Sequence, residues 1–371
     1  MHVDSVAAYP IIHANRCVRY RFRYSACTRC EEACPHQALI LSDEGAAIDW
    51  AKCQNCALCA SACRTGTFQA ANLPRVELLK QAAGAERWTF ACAPSERTGN
   101  AVVPCLGAIE PTMLAYMASR GVAVELLGSE HCSRCSHSPQ GSAQLALNLE
   151  GLAVLREALG GEAWATVTAP YANTADTHQE PEGQGANRRH FFRRVFGRAA
   201  TQLAQVGCDE AAPAPLKAIR AAAPFLPGQR ELLQVLWPRT AASTATLPCH
   251  LVLPIAQLAM AAGCTACEAC ARVCPTGALQ IAESARAWEL VFRLARCVGC
   301  AVCLEACQSG ALRDIDPISI DASPTGDGVV LQAFLYRRCE RCSRLFIPAV
   351  DDSTTCDVCT DDEVSFTTIF G

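Results

Sequence analysis

Twenty-six cysteines in a chain of 371 residues set the chemistry, and most of them fall in C-x2-C pairs. That interval places two thiolates on one metal ion or cluster, whereas disulfides need no such pattern. Cys264, Cys267, Cys270 and Cys274, with Pro275 next, form one run, and Cys297, Cys300, Cys303 and Cys307 form another. The N-terminal region repeats them. "ACPHQALIL" (33–41) parallels "VCPTGALQI" (273–281), and "CQNCALCASACRTG" (53–66) parallels "CVGCAVCLEACQSG" (297–310). Two copies separated by almost 200 residues are an internal repeat.

Both copies resemble bacterial two-cluster ferredoxins, in which three close cysteines wrap one face of a cubane and the fourth reaches its neighbour. The resemblance implies four [4Fe–4S] clusters. Cys17, Cys27, Cys30 and Cys63 would hold the first, and Cys53, Cys56, Cys59 and Cys34 the second. Cys264, Cys267, Cys270 and Cys307 would hold the third, and Cys297, Cys300, Cys303 and Cys274 the fourth.

The first of these sets is irregular. Aligning Cys27 with Cys267 puts Tyr24 where a thiolate belongs, and Cys17 lies seven residues further upstream. Either the site has three thiolates, or Cys17 loops back to it. Between them Val18, Tyr20, Phe22 and Tyr24 alternate with Arg19, Arg21 and Arg23. A period of two predicts an extended segment or hairpin with one apolar and one basic face. At about 3.3 Å per residue a short hairpin returns Cys17 to the cluster. The arginines then form either a solvated strand edge or a docking surface for an acidic redox partner.

A third group occupies "WTFACAPS" (88–95), "AVVPCLGAIEP" (101–111) and "VELLGSEHCSRCSH" (124–137). Strand-like runs end near Cys92, Cys105 and the Cys132–Cys135 pair, with a helical stretch, "PTMLAYMASRG", before the last. This succession predicts a small parallel α/β unit with converging strand ends, and four thiolates there suit a [2Fe–2S] centre. The segment resembles the delta subunit of methyl-viologen-reducing hydrogenase, an electron-transfer protein. Ser95 stands where that family has a second cysteine, and the last pair is more closely spaced. His131 and His137 therefore remain alternative ligands, and a structural zinc site remains an alternative centre.

The fourth group, Cys339, Cys342, Cys356 and Cys359, has the two C-x2-C knuckles of a zinc ribbon. Rubredoxin-like iron is the alternative. Strands "VVLQAFLY" and "EVSFTTIF" are expected to flank it as a sheet edge. Cys208 and Cys249 are left over and are expected to be small buried hydrophobes.

These ligands need an α+β multidomain scaffold. The expected modules are an N-terminal ferredoxin module (1–75), the α/β unit (76–145), a helical connector with a polar linker (146–250), a second ferredoxin module (251–320) and the ribbon (321–371). Within the connector, 188–205 reads as a basic amphipathic helix. Its face suits partial burial, a partner's acidic groove or peripheral membrane contact.

Net charge is -4 and no apolar run is long enough to span a bilayer. No secretory h-region accompanies Arg16, Arg19, Arg21 and Arg23, so a cytoplasmic protein is expected. No G-x-G-x-x-G turn, Walker loop or serine–histidine constellation suggests catalysis. The expected role is a non-catalytic electron-transfer subunit in a hetero-oligomer. It would link a catalytic oxidoreductase, of formate dehydrogenase or hydrogenase type by resemblance, to a second acceptor. An accessory protein for assembling an iron–sulfur or molybdenum enzyme is the main alternative. A redox-sensing regulator is the other, disfavoured by overall acidity, with no nucleic-acid partner expected.

Overall fold

The computed structural model describes residues 9–160, 163–170, 218–237, 246–319, 328–348 and 353–360. The expected basic helix at 188–205, Cys208 and the strand "EVSFTTIF" lie outside the described residues.

Three of the four cysteine runs fold alike. The residues on either side of the middle cysteine adopt positive φ: Asn55 and Ala57 (56° and 64°), Ala266 and Glu268 (54° and 61°), Gly299 and Ala301 (62° and 65°). Five of these six are not glycine, so each carries steric strain that the surrounding structure must hold. Two left-handed residues out of three curl the backbone tightly about one point. A one-turn helix follows each curl, at Leu58–Ala62, Ala269–Val273 and Val302–Ala306. The prolines after Cys34 and Cys274 lead into antiparallel pairs, Leu39–Ser42 with Gly45–Ile48 and Leu279–Glu283 with Ala287–Phe292. A second short pair closes each module, Ile11–Ile12 with Phe68–Gln69 and Gln257–Met260 with Leu312–Ile315.

The irregular run differs. Thr28 has φ −126°, and the chain enters the helix Arg29–Glu32 without the left-handed curl. The segment before it corrects the expectation of an extended, two-faced strand, because Val18–Arg21 is a helical turn starting at Cys17. Alternation fails physically because both kinds of residue are needed inside. Val18 and Phe22 are buried in the apolar core of the second module, and Arg21 is 1% exposed. Tyr24 faces solvent at 61% exposure.

Between the modules lies a four-stranded, all-parallel sheet in the order Ala101–Val103, Arg87–Cys92, Ala123–Leu127, Val167–Thr168. Phe90, Leu106, Met113, Leu114, Leu126, Leu155 and Leu233 fill its core. The helix Pro111–Ser119 packs against both Gln140–Leu155 and Gly228–Leu236. The boundary expected at 145/146 therefore falls inside a helix. The α/β unit takes in residues to 170 and part of the expected connector, because these supply a strand and the helices that cover the sheet.

The strand Val329–Leu335, expected to flank the ribbon, instead extends the second module's hairpin by pairing with Ala287–Phe292. Trp288 meets Phe334 there, ring centroids 5.7 Å apart. Among the described residues no helix is long and apolar enough to cross a membrane.

Candidate metal centres

The ribbon cysteines are the most compact set. The sulfurs of Cys339, Cys342, Cys356 and Cys359 all lie within 4.8 Å of one another, with Cys342 and Cys356 at 3.7 Å. A tetrahedral ion with metal–sulfur bonds of about 2.3 Å would hold its sulfurs roughly 3.8 Å apart, so one ion fits. The pair Arg337–Arg338 with Leu345–Phe346 carries the first knuckle, and Ser343 at φ 60° turns it. Backbone N–H groups of Cys342 and Cys356 hold the Cys339 thiol down at about 6.

Among the described residues no other His, Cys, Asp and Glu donors gather that closely. The remaining cysteines form wider sets, as a multi-iron cluster requires and a single ion does not. Cys17, Cys27, Cys30 and Cys63 line one cavity, and Cys300 of the second module lines it too. Cys17 reaches this cavity from the start of its helical turn, packed on Gly45. Backbone N–H groups of Arg19, Tyr20 and Ala46 favour its thiolate. The thiols of Cys53, Cys56, Cys59 and Cys34 neighbour one another in the second set. In the second module Cys264, Cys267, Cys270 and Cys307 gather, as do Cys297, Cys300, Cys303 and Cys274.

The donor set suits thiolate-bound clusters. In the regular runs the N–H two residues on serves the sulfur: Leu58 for Cys56, Ala266 for Cys264, Gly299 for Cys297 and Val302 for Cys300. The crossover cysteines receive a further amide beyond the turn. Ala38 donates to Cys34 at 3.3 Å, Ala278 to Cys274 at 3.2 Å and Leu312 to Cys307 at 3.4 Å. Such bonds favour the charged sulfur that a metal needs. Burial acts the other way, pushing Cys30, Cys59, Cys300 and Cys303 up. Without metal these thiols hold protons, so loading releases them.

The third group collects at the carboxyl ends of the parallel strands, where such sheets place ligands. Cys92 ends its strand, Cys105 follows the next, and Cys132 and Cys135 lie on the turn after the third. Cys92 neighbours both Cys132 and Cys135, and Cys105 neighbours Cys92 and Cys132. Ser95 is turned back onto the Cys92 carbonyl, to which its hydroxyl donates at 2.6 Å. The buried His137 ring lies edge-on to His36, centroids 5.4 Å apart.

Two junctions join these sets, and spacing gave no sign of either. Cys300 neighbours Cys27 across the module interface. Cys56 packs with Cys105 and fully buried Leu58. Asn148, also fully buried, holds that second junction by donating to the carbonyls of Gly107 and Ile109 at 2.9 Å. Cys249, expected to be buried, is exposed, because its loop is held at the surface by its N–H on Asp316 at 2.9 Å.

Residues 263–311 match the family model of the 4Fe-4S dicluster domain. No curated protein and no solved structure matches the chain. With the dicluster domain at one place and the four-cysteine group at 339–359 at another, the chain is an iron–sulfur protein of mixed helix and strand content.

Proposed function

We propose that this protein is an electron-transfer subunit that relays single electrons between a catalytic oxidoreductase and a second acceptor. One observation carries the reading: the cysteine sets adjoin end to end. From Cys264/267/270/307 the file runs to Cys274/297/300/303, then by Cys300–Cys27 to Cys17/27/30/63. From there it passes to Cys34/53/56/59, and by Cys56–Cys105 to Cys92/105/132/135. On this reading the first four sets hold [4Fe–4S] clusters, the last holds a [2Fe–2S] cluster, and the ribbon holds zinc. Bound clusters of these types take up and release one electron at a time without substrate bonds changing.

The chain's own residues keep the file together. Arg64, next to Cys63, donates to the Gly299 carbonyl at 2.6 Å across the interface. Gln229 donates to the Cys63 carbonyl at 2.8 Å. The file surfaces at exposed Cys267 and at partly buried Cys132 and Cys135, which suits a partner at each end. Resemblance alone favours a hydrogenase- or formate dehydrogenase-like partner.

Anaerobically purified protein tests this against cluster assembly. Titanium(III) citrate should reduce the cluster iron, and reoxidation should return it with none lost. Transfer of iron and sulfide to an apo-ferredoxin on mixing would instead identify an assembly protein.

A further inference from the structure

Three arginines are buried with no carboxylate acting on them among the described residues: Arg21, Arg64 and Arg230, at 1%, 8% and 0% exposure. A guanidinium stays charged, and a buried charge without a counter-charge is strongly unfavourable. Some of their donors meet backbone carbonyls instead, while Arg64 Nε and Arg230 Nε and Nη1 are buried with no hydrogen-bond partner among the described residues. Arg21 reaches Asn15, Ala222, Ala223 and Cys274, Arg64 reaches Gly299, His250 and Leu251, and Arg230 reaches Leu294.

What the three share is one cysteine set. Arg21 acts on Cys274 and Cys300, Arg64 on Cys300 and Cys297, and Arg230 on Cys297. Gly299 makes room for this: at φ +62° it lacks a Cβ that would lie 2.6 Å from Arg64 Nη1. The neighbouring half-set shows nothing comparable, since no arginine acts on Cys264 or Cys270. Glu305, a carboxylate of the second module, is engaged by Ser25 and Ala26 and faces Arg19 and Arg29.

We propose that Arg21, Arg64 and Arg230 are fixed counter-charges that make Cys274/297/300/303 more easily reduced than its neighbour Cys264/267/270/307, two of the charges supplied across the interface by the N-terminal module. The inference rests on the ligand sets proposed above. Four thiolates on a [4Fe–4S]2+ core leave two negative charges, and one added electron makes three. Positive charge nearby favours the more negative state and raises the potential. The electron comes from a one-electron reductant such as titanium(III), which becomes titanium(IV), and no other bond forms or breaks.

EPR-monitored redox titration of the full-length, iron-loaded protein tests this. Within the second module, the signal altered by Cys303→Ser should appear before the signal altered by Cys270→Ser. Arg64→Met and Arg230→Met should each lower the former's reduced-to-oxidised ratio at least tenfold at the wild-type midpoint, or 59 mV for one electron. Arg64→Lys should keep most of the ratio, and exposed Arg286→Met should not change it. A signal altered by Cys270→Ser that appears before the one altered by Cys303→Ser overturns the inference whatever the arginine variants do. So does an unshifted signal in methionine variants that retain full iron. Wild-type protein without cubane iron would instead overturn the proposed function itself.

Discussion

The second module opens its cysteine run with a regular curl, while the N-terminal module opens its own with a helical turn. In the second module Ala266 and Glu268 flank Cys267 in the left-handed region, and the loop stands at the surface with Cys267 exposed. In the N-terminal module the equivalent Cys27 lacks that pair, and Cys17 comes in from the turn Val18–Arg21. Its intervening residues go into the neighbour: Val18 and Phe22 into the apolar core, Arg21 towards Cys274. The difference teaches that the displaced cysteine is coupled to docking. The residues that separate Cys17 from Cys27 also join the two modules.

The sharpest way to break this comparison is to remove the displaced thiol. Cys17→Ala should lose one cubane or convert it to a three-iron form, while Tyr24→Phe should keep every iron. Equal iron in both variants, with an unchanged EPR spectrum, would leave the first site without its fourth ligand.

Docking comes next. Phe22→Ala should destabilise the protein by about 3–5 kcal/mol, as large aromatic truncations in cores do. Chemical denaturation should show the loss, and Tyr24→Ala, at an exposed ring, should cost far less.

Acidity divides the ribbon's own thiols. Cys339 is held at about 6, so its thiolate is favoured above that pH and lost as pH falls through it. Cys359 of the ribbon and Cys270 of the second module are both pushed up to about 12 by burial and nearby thiols, so each must give up a proton to bind. Zinc uptake at the ribbon and iron–sulfur reconstitution of the apoprotein should therefore both improve steadily from pH 6.5 towards pH 8.5. Metal analysis after desalting measures both. Reconstitution that weakens as pH rises would contradict the sign.

The smallest effect is expected at Cys249, which is exposed and adjoins Asp316. Cys249→Ser should leave iron and zinc contents unchanged.

Cysteine spacing made the local chemistry legible because thiolate geometry ties ligand intervals to loop shape. The parallel strands ending near Cys92 and Cys105 follow the expected pattern. Arg21 was illegible for a physical reason. Alternation in sequence records polarity, and polarity misleads where a buried guanidinium finds carbonyls across an interface. The same holds for the boundary at 145/146, since the helix Gln140–Leu155 belongs to the sheet by packing and not by composition. The junctions Cys300–Cys27 and Cys56–Cys105 join residues far apart in the chain, and no local pattern encodes them.

Iron, acid-labile sulfide and zinc analysis of anaerobically purified full-length protein tests the central claim most directly. Five clusters in file predict about 18 irons with matching sulfide, and one zinc at the ribbon. About 16 irons with two zincs would remove the [2Fe–2S] centre at Cys92/105/132/135. A count near eight irons would contradict the account, because only one of the two modules would then hold clusters and no continuous file could exist.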